Sequence, residues 1–141
     1  MSKFSQPVCE LVPESAEYGR VVLRELDYEL YHRKSVRLTF DSSTKGKFQL
    51  VFDSPAAVRV MDEGQLCEFW TNYSMRNGWL WQVASGGWLD LECTRPRFWL
   101  KDVSNGKLRE YMIANDQCVF VLTSIAPKFV AIKTHASKTD L

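Results

Sequence analysis

The sequence is poor in histidine and lacks the short motifs that mark common catalytic sites. Only two of its 141 residues are histidines. His32 lies in a predicted turn and His135 in the C-terminal segment, so we expect neither to act as a general acid or base on a rigid scaffold. The chain also contains no G-x-S-x-G nucleophile elbow, no phosphate-binding P-loop and no dinucleotide fingerprint. The sequence therefore predicts a protein without catalytic activity.

Cysteine spacing and long apolar runs give no further sign of a metal site or a membrane anchor. The four cysteines are far apart, with no C-x-x-C pair and no histidine at zinc-ligand spacing. The N-terminus lacks the apolar core of a signal peptide, and no apolar run approaches the roughly 18 residues that a membrane helix needs. We expect a cytoplasmic protein with reduced thiols, no membrane association and no cofactor.

Charge is nearly balanced overall but is segregated along the chain. The net charge of +1 gives no general footprint for nucleic acid or an anionic membrane. Residues 9–31 contain six acidic residues against two arginines, whereas residues 32–48 contain five basic residues against Asp41. Such segregation can create patches that steer a partner. It can also mean that neighbouring strands of opposite charge pair across a sheet.

Apolar and polar residues alternate through much of the sequence, which is the pattern of β-strands with one face in a core. Val36, Leu38 and Phe40 alternate with polar residues, and Phe48 and Leu50 do so after a polar turn. We predict strands at 25–31, 36–41, 47–52, 57–61, 79–83, 88–93, 97–103, 108–113, 118–124 and 129–132.

Three local features complete the predicted fold. Residues 18–31 fit both strand and helix, and strand is favoured for 25–31 while a helix over 16–26 stays possible. A short helix is predicted at 65–73, and Ser85-Gly86-Gly87 predicts a tight hairpin. The fold class is a β-rich α+β protein, with mostly antiparallel sheet curled into a barrel or sandwich. We expect one domain at 1–132 and a flexible tail at 133–141.

Acidic residues are the predicted binding site. Glu25, Asp27 and Glu29 would lie on one face of a strand, and Asp62 and Glu63 are adjacent to each other. Three acids on one strand face are most often a solvated surface. They can also form a recognition stripe for a basic protein, and we predict that these five residues form part of such a patch.

The sequence is also compatible with other functional classes. Exposed aromatic rings beside basic residues would allow a β-barrel to bind single-stranded nucleic acid, and Phe98 and Trp99 lie in the basic segment 95–109. The alternating Trp79, Trp81 and Val83 fit core packing better than base stacking. A small-ligand binder, or an enzyme whose site is assembled from scattered residues, is the remaining alternative.

Four segments of the chain resemble small bacterial immunity proteins of polymorphic-toxin and contact-dependent-inhibition systems. They are LRELDYEL at 23–30, FDSPAAVRVMDEG at 52–64, NGWL at 77–80 and SGGW at 85–88. The resemblance implies a cytoplasmic, non-catalytic protein that binds a cognate toxin domain and covers its active site. An inhibitor of a nuclease would present acidic residues to the enzyme's basic cleft.

Overall fold

The computed structural model describes residues 6–31, 34–62, 64, 69, 72–96 and 106–133. A 3-10 helix lies at Pro13–Tyr18 and a short α-helix, α1, at Trp88–Glu92. The strands are β1 (Val8–Leu11), β2 (Val21–Glu29), β3 (Ser35–Ser42), β4 (Gly46–Asp53), β5 (Ala57–Asp62), β6 (Leu80–Ser85), β7 (Arg109–Ile113), β8 (Gln117–Thr123) and β9 (Lys128–Ala131).

These strands form two antiparallel sheets. The five-stranded sheet has the order β1-β6-β7-β8-β5, and the four-stranded sheet has the order β2-β3-β4-β9. The predicted β-rich, antiparallel fold with short helices is confirmed. Among the described residues no strand pair joins one sheet to the other, so a closed barrel is not confirmed.

The main apolar core lies between the two sheets. On β3 and β4 the alternate residues are almost completely buried, as the period-2 pattern predicts. The five-stranded sheet contributes Tyr111, Ile113, Val119 and Val121 to the same cluster. The members from β3 and β4 are Val36, Leu38, Phe40, Phe48, Leu50 and Phe52. These residues pair with one another across the two strands, and the residues between them lie on the opposite face of the sheet: Arg37, Thr39, Asp41, Gln49 and Val51.

The five-stranded sheet is covered on its second face as well. Met112 and Phe120 pack there with Trp81 and Phe69 in a second buried cluster. All residues of β8 after Gln117 are buried, which explains its unbroken apolar run instead of an alternation. This sheet is therefore the central layer of the described structure.

Most of the ambiguous segment at 18–31 forms strand β2, which contains a bulge. The register of β2 on β3 shifts between Leu23 and Glu25, so that Leu23 lies opposite Phe40 and Leu26 opposite Leu38. The extra residue, Arg24, places two core leucines three positions apart, which is a helical spacing produced inside a strand. The helix considered over 16–26 is wrong, although a 3-10 helix ends nearby at Tyr18.

The predicted hairpin at Ser85-Gly86-Gly87 and its return strand at 88–93 are wrong. β6 pairs with β1 and β7, and residues 88–92 form helix α1. Gly87 is the N-cap of α1, and the Gly86 N–H donates to the Asp90 carboxylate at 2.7 Å. A run of five residues is too short for periodicity to distinguish a strand from a helix. The secondary structure of residues 88–92 therefore depends on the tertiary contacts of α1.

Several predictions lie outside the described residues. They include the strand at 97–103, most of the helix at 65–73, and the tail beyond 133. Phe69, Asn72 and Tyr73 are described and are helical. The assignment of 1–132 to one domain stays a prediction.

A buried asparagine connects the two sheets near the start of β2. The Leu23 N–H donates to Asn115 Oδ1 at 3.3 Å, and Asn115 Nδ2 donates to the Val21 carbonyl at 3.1 Å. Asn115 follows β7 in the turn to β8 and is only 6% exposed. The side-chain amide of Asn115 thus accepts one hydrogen bond from the backbone of β2 and donates one to it, as the backbone of a neighbouring strand would.

Replacing Asn115 with alanine tests this connection. We expect Asn115→Ala to lower the free energy of unfolding by about 1 to 3 kcal/mol, because two backbone groups lose their partner near the core. Urea denaturation followed by tryptophan fluorescence measures the change. Asp116→Ala, at the next and exposed position of the turn, is the matched control. Equal stability of the two variants would contradict the assigned role.

Candidate functional site

The outer face of the four-stranded sheet is the surface on which three of the predicted site residues lie. Glu25, Asp27 and Glu29 occupy alternate positions of β2, opposite Thr39, Arg37 and Ser35 respectively. Their neighbours Leu26 and Tyr28 pack against the core, so the three carboxylates point to the solvent side. We refer to Glu25, Asp27 and Glu29 as the β2 acidic row.

Arg37 on β3 partly neutralises this row. Its Nη2 lies 2.6 Å from Asp27 Oδ2, and its Nη1 lies 3.5 Å from Glu29 Oε1. The hydrogen bond with Asp27 is the main reason that the pKa of Arg37 is raised. Glu25 lies opposite Thr39 and forms no ion pair with any described residue. The acidic and basic segments of the sequence are therefore neighbouring strands that pair in part.

Further ion pairs cover the same face. Arg24 Nε lies 2.6 Å from Asp41 Oδ2, and this hydrogen bond holds the pKa of the Asp41 carboxyl below its usual range. Lys128 Nζ lies 2.8 Å from Asp53 Oδ2. Such exposed pairs contribute little to stability, about 0 to 1 kcal/mol each. They do define a surface on which charges of both signs are held in fixed positions.

The row lies at an edge of the sheet and ends beside exposed apolar side chains. β2 is the first strand of the four-stranded sheet and pairs only with β3 among the described strands. After Glu29 the chain presents Leu30 and Tyr31, which are 72% and 76% exposed. Two large, exposed side chains therefore lie directly beside the charged row.

The other two predicted site residues are not part of the row. Asp62 is the last residue of β5, in the five-stranded sheet, where it lies opposite Gln117. Its side chain is exposed. Glu63 lies outside the described residues. The structure therefore unites Glu25, Asp27 and Glu29 but does not place Asp62 with them.

A buried carboxylate on β7 is a feature that the sequence reasoning missed. Glu110 is 1% exposed and lies between the five-stranded sheet and α1. The N–H groups of Trp88 and Leu89 donate to its Oε2 and Oε1 at 3.2 and 2.8 Å. Glu110 thus supplies the acceptors that the first turn of α1 needs, in place of a side-chain cap at Gly87.

Arg59 and Cys9 lie in the same environment. The Arg59 guanidinium carbon lies 4.9 Å from the centre of the Trp88 ring and 4.7 Å from that of Phe120. Burial, and to a smaller extent the charge of Glu110, raises the pKa of the Cys9 thiol to about 12. Because the thiolate is the reactive form, Cys9 is not an activated nucleophile at neutral pH. The cluster holds α1 on the sheet.

One sequence signal could have identified Glu110. In the predicted strand at 108–113, Glu110 shares a face with Leu108 and Met112. An acid between two large apolar residues on the same face of a strand is either at an exposed edge or buried with partners. The sequence does not show which of these applies, because the partners are backbone groups of a distant helix.

Two features of the described residues bear on metal binding and membrane insertion, the clustering of metal-ligating side chains and the length of apolar helices. No group of three or more histidine, cysteine, aspartate or glutamate residues in this part of the chain could hold a metal ion. No helix within the described ranges is long and apolar enough to cross a membrane. Cys9 and Cys93 are free thiols, and the Cys118 thiol donates to the Asn115 carbonyl at 3.3 Å.

Searches of protein-family models, of curated proteins and of solved structures find no significant match for this chain. The geometry of the described residues is therefore the basis for a functional assignment.

The buried carboxyl of Glu110 gives a pH-dependent prediction. Burial raises its pKa in the folded protein, although the two N–H donors and Arg59 oppose the shift. The folded state then binds this proton more tightly than the unfolded state. The contribution of Glu110 to the free energy of unfolding is largest below the pKa that it has in the unfolded chain. This contribution is lost as the pH rises through the pKa that it has in the folded protein.

We therefore expect the stability of wild type relative to Glu110→Gln to increase as the pH is lowered from about 7 to 5. Urea denaturation of both proteins across this range measures the difference. The two proteins share all other carboxylates, so the titration of those groups cancels when the two free energies of unfolding are subtracted. A difference that is constant, or that grows with rising pH, would show that the pKa of Glu110 is not raised.

Proposed function

We propose that this protein is a non-catalytic protein-binding module, an immunity protein that neutralises a cognate toxin domain by covering its active site. The observation that carries the proposal is the β2 acidic row, held on the solvent side of an edge strand. Glu25 lacks a cationic partner among the described residues, and Asp27 is exposed despite its bond to Arg37. The row is thus available to a basic partner surface.

Electrostatics and side-chain type support a basic partner. A row of carboxylates raises the association rate with a positively charged cleft and disfavours acidic competitors. Arg37 would keep Asp27 and Glu29 oriented before binding, which reduces the entropy lost on association. Leu30 and Tyr31 would supply the apolar contact area that charged groups cannot, since tyrosine is enriched among residues that dominate binding energy.

The contacts made by Glu110 and Arg59 also favour a binding role over a catalytic one. Glu110 has its oxygens engaged by α1, and Arg59 is stacked between two rings. These groups serve the packing of a helix and are not presented to a substrate. The resemblance of four short segments to bacterial immunity proteins agrees with this interpretation.

Charge reversal on the row tests the proposal. The partner to use is the purified toxin-like domain encoded beside this protein's gene, because an immunity protein is encoded next to its toxin. We expect wild type to bind this domain and to abolish its catalytic activity at equimolar concentration. We expect Glu25→Lys to weaken binding by about tenfold or more, because a like charge then faces the basic cleft.

Glu14→Lys is the matched control, since Glu14 is an exposed acid on the 3-10 helix and lies outside the row. Isothermal titration calorimetry at two salt concentrations gives both affinities. Unchanged binding by Glu25→Lys and by the double variant Glu25→Lys/Asp27→Lys would remove the row from the interface. Failure of wild type to bind or inhibit the domain would overturn the immunity function itself.

A further inference from the structure

A cavity of about 660 Å³ opens at one end of the space between the two sheets. It lies where the 3-10 helix, the start of β2, the chain before β6 and the turn between β7 and β8 meet. A volume of this size is within the range of small-molecule sites, which is roughly 300 to 1,000 Å³. It is separate from the β2 acidic row, whose residues do not line it.

Among the described residues of the cavity wall, the charged groups are all of one sign. Arg20 and Arg76 line it, and none of the other described residues in its wall carries a carboxylate. Both arginines are exposed, and neither forms an ion pair within the described part of the chain. Three other exposed basic residues, Arg24, Lys45 and Lys128, are paired with acids, whereas the exposed Lys107 forms no ion pair with any described residue. The two guanidinium groups therefore retain donors for an anion.

The neutral polar side chains of the wall are already bonded within the protein. Ser15 Oγ donates to the Val12 carbonyl at 2.6 Å, and the Trp79 indole Nε1 donates to the Ser15 carbonyl at 2.9 Å. The amide of Asn115 is engaged by the backbone of β2. These groups shape the cavity and leave the arginines as its main source of directed hydrogen bonds.

The rest of the wall is largely apolar. Leu11, Val21 and Met75 supply apolar surface. Met75 is 45% exposed at this position, so a ligand could cover it. Covering exposed apolar area is favourable by about 25 cal/mol per Å². The wall thus combines an apolar surface with two cationic groups.

We propose that this cavity binds a small amphipathic carboxylate, with its acid group on Arg20 and Arg76 and its apolar part against Met75 and Leu11. A guanidinium matches a carboxylate in geometry, because two parallel N–H groups can bond its two oxygens. The apolar part supplies contact area that a free inorganic anion lacks. This site is independent of the proposed immunity function.

Calorimetry with octanoate and 1-octanol tests the site, because the two probes differ in charge but carry chains of equal length. We expect octanoate to bind and 1-octanol to bind more weakly. Arg20→Gln and Arg76→Gln should each weaken octanoate binding by about tenfold, the usual effect of losing a charged hydrogen bond. Neither change should affect 1-octanol. Lys107→Gln, an exposed charge removed outside the cavity, should leave both affinities unchanged.

The position of the ligand is checked independently with methyl-labelled methionine. Octanoate should shift the NMR signal of Met75, whereas the signal of Met112, buried on the far face of the five-stranded sheet, should stay in place. Three results would each overturn the proposal. They are no octanoate binding at millimolar concentration, equal affinity for 1-octanol, and octanoate affinity unchanged in both arginine variants.

Discussion

The register between β3 and β4 is the constraint on which the rest of the structure depends. Phe40 and Phe48 lie opposite each other, their ring centres are 5.0 Å apart, and Phe40 also contacts Trp79 at 4.9 Å. Shifting this register by one residue would turn Arg37 and Asp41 towards the core. Burying unpaired charges costs far more than any gain from an alternative pairing, so the aromatic core determines which side chains face solvent.

The β2 acidic row and the buried Glu110 differ in their surroundings and in their bonding partners. Asp27 on the outer face has a partner in Arg37 and solvent around it, so its ion pair adds little to stability and stays accessible. Glu110 is enclosed, and its carboxylate is bonded by the first turn of α1. The first is suited to contact with another molecule, whereas the second fixes a helix on the central sheet.

The proposed protein-binding surface and the proposed carboxylate cavity occupy different parts of the fold. The row on β2 is displayed by an edge strand, where side chains and backbone are accessible together. The cavity forms at a junction of four segments, where the side chain of Asn115 closes the gap between the sheets. Asn115 lines the cavity and also bonds the backbone at the start of β2, the strand that carries the row.

Strands with one face in a core could be predicted from the sequence, because the alternation around Phe40 and Phe48 matches the side chains that lie in the core. The same alternation placed Glu25, Asp27 and Glu29 on one face. It could not show that residues 88–92 are helical, nor that Glu110 is buried. Those outcomes depend on contacts between segments distant in sequence. The local sequence pattern determined which side chains share a face of a strand. Tertiary packing decided which of these faces are covered and by what, because only the folded chain brings Glu110 to the backbone of α1.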